Sequence, residues 1–259
     1  MRYTSDLTDA EWQFIQYCMP KASTTGRPRE RSYRELLNGM FYLDKTGCQW
    51  RNLPTDFAPW RTVYHYFRSW KRSGLWVAIH THLREHVRLL EGRNRQPSAA
   101  IIDSQSVKST ESSDERGYDA GKKINGRKRH ILVDTIGLLL MVMVLPAQIQ
   151  DRDGARQLLA CFFGSSPRRR VKHIWADGGY AGTLIRWAKT LWRCTVEVVK
   201  RNELHTFKVL PRRWVVERTF GWLGRYRRLS RDYERQAHTG ETMVYLAMIR
   251  LMLARLAKP

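Results

Sequence analysis

Apolar residues in the first part of the chain recur every three or four positions, the spacing that places them on one face of a helix. Thr8 and Glu11 have capping-box spacing ahead of a first helix. Three further helices are predicted in SYRELLNGMFYL, in PWRTVYHYFRSW and from Leu75 to about Leu90. GRNRQPS, residues 92–98, has the composition of a linker. The pattern therefore predicts a helical N-terminal domain over residues 1–97.

After this linker the spacing changes to that of a mixed α/β domain. SAAIIDSQSV reads as a strand, and RKRHILVDTIG and LLLMVMVLPA read as two strands joined by a turn at Asp134–Gly137. Strands and helices then alternate, in the order RDGARQLLACFF, VKHIWAD, TLIRWAKTLW, TVEVVKR, and two last helices, RRWVVERTFGWLGRYRR and ETMVYLAMIRLMLARL. Three successive strands followed by alternation predict a mixed sheet with helices on its faces, over residues 98–259.

The charge of the chain points to a polyanionic partner. Lys and Arg total 46 against 24 Asp and Glu, which gives a net charge of +22 and a pI near 10.4. Nucleic acid is the leading candidate. An anionic membrane is less favoured, because basic segments for that purpose are usually local whereas this charge is spread along the chain. Charge alone does not separate DNA from RNA, but the aromatic signature of a common RNA-binding sheet is absent.

Cysteine usage and the N-terminus favour a cytoplasmic protein. The four cysteines lie far apart, without metal-ligand spacing or a dense disulfide framework. MRYTSDLTDA has no apolar core of the kind that signal peptides carry. The longest apolar run, residues 138–145, is too short to span a bilayer.

Three carboxylates occupy unusual positions for acidic residues. Asp103 follows the apolar run AAII, Asp177 ends the run IWA before two glycines, and Glu217 follows WVV in a basic helix. An unpaired carboxylate in such a setting is expensive, and carboxylates that hold Mg²⁺ are the usual means of cutting nucleic acid where no nucleophilic triad is present. Local alternatives stay open: an Asx turn at Asp103, a glycine turn at Asp177, and an intrahelical ion pair of Glu217 with an arginine.

Other candidate ligands have simpler explanations. Asp134 lies in the predicted hairpin turn, and Asp151 and Asp153 precede a helix, where acids are favoured. His82 and His86 share a helix face, but no cysteine or acidic motif completes a zinc site with them.

The ordered set IIDSQSVK, GYDAGKKINGRKRHILVDTIGLLL, IWADGGYAG and RWVVERTFGWLGRYRRLSRDYE resembles the DDE transposases of bacterial insertion sequences, in particular the insertion-sequence-five family. CQWRNLPTDFAPWRTVYHYFRSWKRSGLW resembles the helical leader domain of that family. The resemblance therefore covers nearly the whole chain. It implies a ribonuclease H-like, five-stranded mixed sheet behind an all-α DNA-binding domain.

The resemblance also implies a site and a reaction. Asp103, Asp177 and Glu217 fall on the catalytic positions and would hold two Mg²⁺ ions, with Mn²⁺ as a substitute. The expected partners are double-stranded DNA, as element terminal inverted repeats and as target, and a second copy of the chain. The expected reaction is cleavage at the element ends and transfer of the 3′ hydroxyl to target DNA. The alternatives are a metal-dependent nuclease and a non-catalytic DNA-binding protein derived from a transposase.

DNA contacts are expected in two regions. The first is a long connection over residues 104–130, whose alternative interpretation is a solvated loop. The second is the basic helix near Glu217, which departs from the signature of the wider group at Leu210 and Gly224, so that nearby arginines are expected to replace a lysine's phosphate contact. The expected DNA-binding residues are Lys122, Lys123, Arg127, Lys128, Arg129, His130, Arg213, Arg225, Arg227 and Arg228.

Overall fold

The computed structural model describes residues 3–21, 29–166, 170–199 and 213–258. The chain forms two compact units. Unit 1 comprises Met1–Gly92, Arg225–Ser230 and Thr242–Pro259, and unit 2 comprises Arg93–Gly224 and Arg231–Glu241. Unit 1 thus draws on two C-terminal segments as well as on the N-terminal part, and a domain boundary at residue 97 stays a prediction.

Unit 1 is helical. Its first four helices are α1 (Asp9–Ile15), α2 (Tyr33–Thr46), α3 (Trp60–Arg72) and α4 (Leu75–Leu90), which confirms the four predicted helices. The Thr8 side chain accepts a hydrogen bond from the backbone of Glu11 and the Glu11 side chain accepts one from the backbone of Thr8, as the sequence predicted. Ser32 and Glu35 form the same capping box at the start of α2.

The core of unit 1 is built from the apolar faces of these helices and of the last helix. The last helix, α8 (Ala237–Leu256), contributes residues from 242 onwards to this unit. Arg250 on α8 pairs with the buried Glu11 on α1, and the Tyr245 ring lies 5.0 Å from that of the buried His80. The core includes Leu36, Leu37, Met40, Phe41, Val63, Phe67, Trp70, Trp76, Ile79, Leu83, Val244, Ile249 and Leu253.

Unit 2 contains a mixed sheet and three further helices. The strands are β1 (Ala99–Lys108), β2 (Gly117–Asp119), β3 (Ile124–Asp134), β4 (Leu139–Pro146), β5 (His173–Ala176) and β6 (Thr195–Val198). The helices are α5 (Asp151–Gly164), α6 (Thr183–Trp192) and α7 (Arg213–Leu223). The predicted α/β architecture is confirmed, with the short strand β2 in addition to the five strands that the sequence predicted.

The strand order is β2-β3-β1-β5-β6, and β4 also pairs with β3. β1 and β3 are antiparallel, whereas β1, β5 and β6 are parallel to one another. In the parallel register, Ala99 pairs with His173 and Ile101 with Trp175. The carboxyl end of β5 therefore lies beside the middle of β1, which continues to Lys108.

Alternation along the strands divides unit 2 into two layers. One sheet face packs against α5 and α6 through a core that includes Ala100, Ile102, Leu132, Leu158, Phe162, Ile174, Leu184 and Val196. Alternate residues, such as the buried Ile101 and Val133, occupy the opposite face, and α7 packs against β1. We call these the α5 face and the α7 face of the sheet.

Two segments differ from the prediction. The connection expected over residues 104–130 is largely strand, because β1 continues to Lys108 and β3 begins at Ile124. The basic helix expected to reach residue 228 ends at Leu223, ahead of Gly224, and Arg225–Ser230 belongs to unit 1. The first difference arises because polar residues lie inside the strands β1 and β3. The second arises because the helix ends before Gly224, so the basic residues that follow lie outside it.

Within the described ranges, no helix combines the length and the apolar character that crossing a membrane requires.

Candidate active site

Asp103, in the middle of β1, and Asp177, directly after the last residue of β5, lie at the same level of two neighbouring parallel strands. Ile101 and Trp175 are register partners, and each aspartate stands two residues beyond them. Because side chains alternate along a strand, both carboxylates belong to the α7 face of the sheet. The sequence expectation that these two acids meet is therefore supported by the register of β1 and β5.

Burial and the neighbouring carboxylate both act on Asp103. The pKa of the Asp103 carboxyl is raised to about 6, mainly by desolvation and in addition by the charge of Asp177. The backbone N–H of Ser104, 2.7 Å from Asp103 Oδ1, and the cations Arg213 and Lys122 act in the opposite direction. The ionised form of this carboxylate is thus disfavoured until a cation joins it.

Glu217 is linked to this pair through Arg213. Both residues lie on α7, and Arg213 Nη2 is 3.8 Å from Asp177 Oδ2 and 3.7 Å from Glu217 Oε1. The Glu217 side chain is 61% exposed. Among the described residues, no three Asp, Glu, His or Cys side chains come together closely enough to hold one metal ion. Of the three expected acids, Asp177 and Glu217 thus share one arginine, and Asp103 lies beside Asp177.

The aspartate pair fits a divalent cation. Mg²⁺ takes few protein ligands and commonly binds through one or two carboxylates together with phosphate oxygens of the substrate. Asp103, whose pKa is raised by burial and by Asp177, is a carboxylate whose charge a cation would neutralise. The role of Glu217 as a third ligand stays a prediction.

A second polar group lies behind Asp103 on the α5 face. Ser104 Oγ donates to Asp151 Oδ1 over 2.7 Å, and Lys128 Nζ lies 3.0 Å from that same carboxylate oxygen. Lys128 Nζ also lies 3.3 Å from Asp119 Oδ2, and Ser106 Oγ donates to that oxygen over 2.6 Å. Burial would raise the pKa of Asp119, but the bonds from Ser106, from the Lys122 backbone and from Lys128 lower it to about 2. This network fixes β1 next to the aspartate pair.

Asp151 takes part in this network although its local sequence does not indicate such a role. Its position in the first turn of α5 gave it a sufficient local explanation, yet its carboxylate meets residues from β1 and β3. The signal in the sequence was the alternation in IIDSQS: a serine next to Asp103 must face the opposite layer and needs a polar partner there. Asp134, in contrast, is explained by its turn, because its carboxylate accepts from the backbone of Ile136 and of Leu138.

The basic residues at the start of the hairpin, which were expected to contact DNA, are buried. Arg127, Lys128, Arg129 and His130 are register positions of β3 and at most 5% exposed. The Arg127 guanidinium donates to backbone oxygens of residues 115, 234 and 235 and lies 3.5 Å from Asp232 Oδ1. Arg127, Lys128 and Arg129 bind protein groups in the interior, and His130 is fully buried, so the expectation that these four residues contact DNA is corrected.

The other expected DNA contacts have different environments. Lys122, Lys123, Arg225 and Arg227 are exposed. Arg228 is buried and donates to the backbone oxygen of Cys48, and this corrects the expectation that it contacts DNA. Leu210, at which the chain departs from the signature of the wider group, lies outside the described residues.

The two glycines after Asp177 differ in their surroundings. A side chain on Gly178 would meet nothing within 4 Å, whereas a Cβ on Gly179 would lie 3.2 Å from Asp177 Oδ1 and 3.5 Å from Asp151 Oδ2. The backbone N–H of Gly179 donates to Asp177 Oδ1 over 2.9 Å. Gly179 thus leaves room for the aspartate it orients, and Gly178 leaves an open surface beside it.

Comparisons with known proteins agree with these features. The family model described as "Transposase DDE domain" matches residues 94–252, and one described as "Putative transposase of IS4/5 family" matches residues 7–80. The Burkholderia cepacia protein named "Putative transposase for insertion sequence element IS402" is 31% identical over 117 residues, 43% of this chain and 56% of that protein. The chain thus matches about half of the length of this relative.

Other similar proteins include a second Burkholderia cepacia protein and a solved structure. "Insertion element IS402 uncharacterized 16.2 kDa protein" is 27% identical over 128 residues, 46% of this chain and 78% of that protein. The "Crystal structure of the Mos1 mariner paired end complex with Mn" aligns with 90% of this chain and 79% of that chain, at 11% identity and a TM-score of 0.30.

The match to the DDE domain covers more than half of the chain, and its range contains Asp103, Asp177 and Glu217. The helical match over residues 7–80 lies within the N-terminal part of unit 1. The chain therefore belongs to the family of transposases that carry a DDE domain.

Proposed function

We propose that this protein is a DNA transposase of an insertion sequence, which cleaves the ends of its element and joins the 3′ ends to target DNA. The observation that carries the proposal is that Asp103 on β1 and Asp177 after β5 lie at the same level of two neighbouring strands, in a chain of net charge +22 from the DDE family. The basic charge provides affinity for the substrate backbone, and the aspartate pair provides the ligands for a cation.

Asp103 and Asp177 would hold the metal, with Glu217 as the third carboxylate of a two-ion site. When bound, two Mg²⁺ ions, or Mn²⁺ in their place, supply Lewis-acid activation of the attacking oxygen and neutralise charge on the scissile phosphate. The Ser104–Asp151–Lys128 network keeps β1 in place, so that the Asp103 carboxylate is positioned before DNA arrives.

Arg213 has a second role in the proposal. In the protein without DNA it is shared between Asp177 and Glu217. The phosphate of an entering DNA strand is a second anion that the guanidinium can bind, and its oxygens can accept two hydrogen bonds from the guanidinium. We expect Arg213 to move from the carboxylates to the DNA backbone, which would free Glu217 to act with the aspartate pair.

The two chemical steps use the same site and balance without an enzyme-bound intermediate. In the first step, water attacks a phosphodiester of one strand at the element end. One fragment of that strand then ends in a 3′ hydroxyl and the other begins with a 5′ phosphate. In the second, that 3′ hydroxyl attacks a phosphodiester of the target and releases a target 3′ hydroxyl. Each step forms one P–O bond and breaks one, so no oxidant or cofactor energy is needed.

Binding of the correct ends is assigned to further parts of the chain. We propose that the helical N-terminal domain recognises the terminal inverted repeats and that a homodimer brings two ends together. Lys122 and Lys123 near Asp103, and Arg225 and Arg227 in unit 1, are exposed and are proposed to contact phosphates.

A strand-transfer assay tests the proposal. Purified protein is incubated with labelled element ends, supercoiled plasmid and Mg²⁺, and the wild type is compared with Asp177→Asn. Asp153→Asn is the matched control, because Asp153 is an exposed carboxylate in the first turn of α5. We expect joined product from the wild type and from the control, and none from Asp177→Asn.

The other results separate the alternatives. Cleavage without joining would indicate a metal-dependent nuclease. Binding of the ends without either reaction would indicate a non-catalytic DNA-binding protein. Full joining by Asp177→Asn would remove Asp177 from the chemistry.

A further inference from the structure

Helices α5 and α6 carry basic residues that neither the family resemblance nor the aspartate pair explains. Arg186, Lys189 and Arg193 are exposed and are spaced three and four residues apart, so they lie along one face of α6 and its C-terminal residue. The sequence of α6, TLIRWAKTLW, contains no acidic residue. α6 begins at Thr183, shortly after the segment Gly178–Tyr180 that follows Asp177, and this face continues along the helix from there.

Two arginines of α5 extend this face to the start of α6. Arg152 Nη1 donates to the backbone oxygen of Ala181 over 3.2 Å, and Arg156 Nη2 donates to Thr183 Oγ1 over 2.8 Å. Gly182 lies between these acceptors with φ +96°, and a Cβ there would be 3.1 Å from Arg152 Nη1. Glycine adopts this positive φ readily, and because it has no Cβ the Arg152 guanidinium can approach the backbone closely. We call Arg152, Arg156, Arg186, Lys189 and Arg193 the cation track.

The cation track has no counterion among the described residues. None of its five side chains forms an ion pair with a carboxylate in the part of the chain that the structure describes. Arg152 and Arg156 also stand at the N-terminal end of α6, where the helix dipole is positive and a further positive charge is unfavourable. The arginines are therefore oriented by neutral acceptors, while their charge is left for an external anion.

We propose that the cation track binds the phosphate backbone of duplex DNA. Ten residues of α6 extend about 15 Å, which corresponds to roughly 4–5 base pairs. The track begins at the residues directly after the Asp177 segment, so its ligand is the duplex that flanks the cleaved phosphate. This inference rests on the proposed function for the identity of the DNA, but its contacts are with phosphate and need no particular sequence.

Salt-dependent binding of a duplex of arbitrary sequence tests the cation track. The experiment measures anisotropy of a labelled duplex across a range of salt concentrations for the wild type and for Arg152→Gln with Arg156→Gln. We expect the slope of log K against log salt to become shallower by about 1.8, because each lost phosphate contact removes about 0.9. The double variant Arg152→Lys with Arg156→Lys retains the charge and is expected to keep the wild-type slope.

A second pair of arginines controls for net charge. Arg93 and Arg95 are exposed near the start of unit 2, and their replacement by glutamine removes the same two charges. We expect this control to keep the wild-type slope. An unchanged slope in the glutamine variant of Arg152 and Arg156, or an equal loss in the control, would overturn the cation track.

The strand-transfer assay separates this result from the proposed function. If the wild type joins ends and the slope is unchanged, the transposase assignment stands and the cation track is wrong. If the slope falls but the wild type neither cleaves nor joins, the track stands as a DNA-binding surface and the proposed function is wrong.

Discussion

Two basic regions of unit 2 have the same residue types and opposite environments. Arg127, Lys128 and Arg129 lie in β3, where they are at most 5% exposed and bind backbone oxygens and carboxylates. In the cation track on α5 and α6, Arg186, Lys189 and Arg193 are exposed, and the half-buried Arg152 and Arg156 donate to neutral acceptors. The interior cations stabilise the fold through their partners, whereas the open ones have charge available for a ligand.

This difference shows why a net charge of +22 is not a map of the DNA-binding surface. A buried guanidinium must satisfy its donors inside the protein, and it then has none for phosphate. Asp103 is the converse case. It is a desolvated carboxylate beside another carboxylate, so its negative charge is available to bind a cation. Single substitutions can separate charges that support the fold from charges that are kept for the reaction.

The largest effect is expected from Arg127→Gln. This change leaves Asp232 buried without its charged partner and removes donors to three backbone oxygens. Breaking a buried ion pair in this way typically lowers the free energy of unfolding by about 3–5 kcal/mol. Urea unfolding measures it, with the exposed Arg93→Gln as a control that should change by less than about 0.5 kcal/mol. Equal stability of the two variants would contradict a structural role for Arg127.

Asp103→Asn should have the opposite effect on stability. The pKa of Asp103 is about 6 in the folded protein and near 3.8 when unfolded, so the stability that this group contributes is present below pH 3.8 and is lost as the pH rises through 6. At pH 7 in EDTA, the asparagine variant should be about 1–3 kcal/mol more stable than the wild type. Its gain should vanish at pH 4, and its DNA cleavage should be lost. A variant less stable than the wild type at pH 7 would contradict this interpretation.

His130 provides a pH-dependent test of the interior. Burial lowers the pKa of His130 to about 4, against its ordinary value of 6.5. Its contribution to stability is therefore present above pH 6.5 and is lost as the pH falls towards 4. Between pH 7 and pH 5, the wild type should lose about 2 kcal/mol more of its unfolding free energy than His130→Gln does. Parallel pH profiles would show that His130 titrates normally, as an exposed DNA contact would.

The smallest effect on stability is expected at the cation track. Replacement of Arg152 and Arg156 by glutamine removes two solvent-facing hydrogen bonds and relieves positive charge at the start of α6. The free energy of unfolding should change by less than about 0.5 kcal/mol. A loss as large as that of Arg127→Gln would show that these arginines support the fold.

The fold could be predicted from the sequence where periodicity and turn chemistry agree. The helix from Leu75 to Leu90 has the predicted bounds, and the β3–β4 hairpin turns at Asp134–Gly137 as predicted. The register of β1 against β5 could not be predicted, because it depends on non-local pairing. Only the resemblance to a family predicts from the sequence that Asp103 and Asp177 act together.

The environment of charged residues was harder to predict than the position of helices and strands. RKRH at residues 127–130 reads as a basic surface, and only the packing of residues 231–235 against β3 shows that it is interior. The role of Asp151 is not visible in the local sequence for the same reason, since its partner Ser104 is 47 positions away. In both cases the deciding contact is long-range, so a local pattern could not contain it.

The most direct test of the central claim is thermal unfolding of the wild type and of Asp103→Asn in Mg²⁺ and in EDTA at equal ionic strength. If Asp103 and Asp177 hold the metal, excess Mg²⁺ stabilises the wild type, by about 1 kcal/mol or more at tenfold saturation, and raises its Tm. Asp103→Asn should start from the higher Tm in EDTA and should not respond to Mg²⁺. Equal responses of the two proteins to Mg²⁺ would contradict a metal site at Asp103.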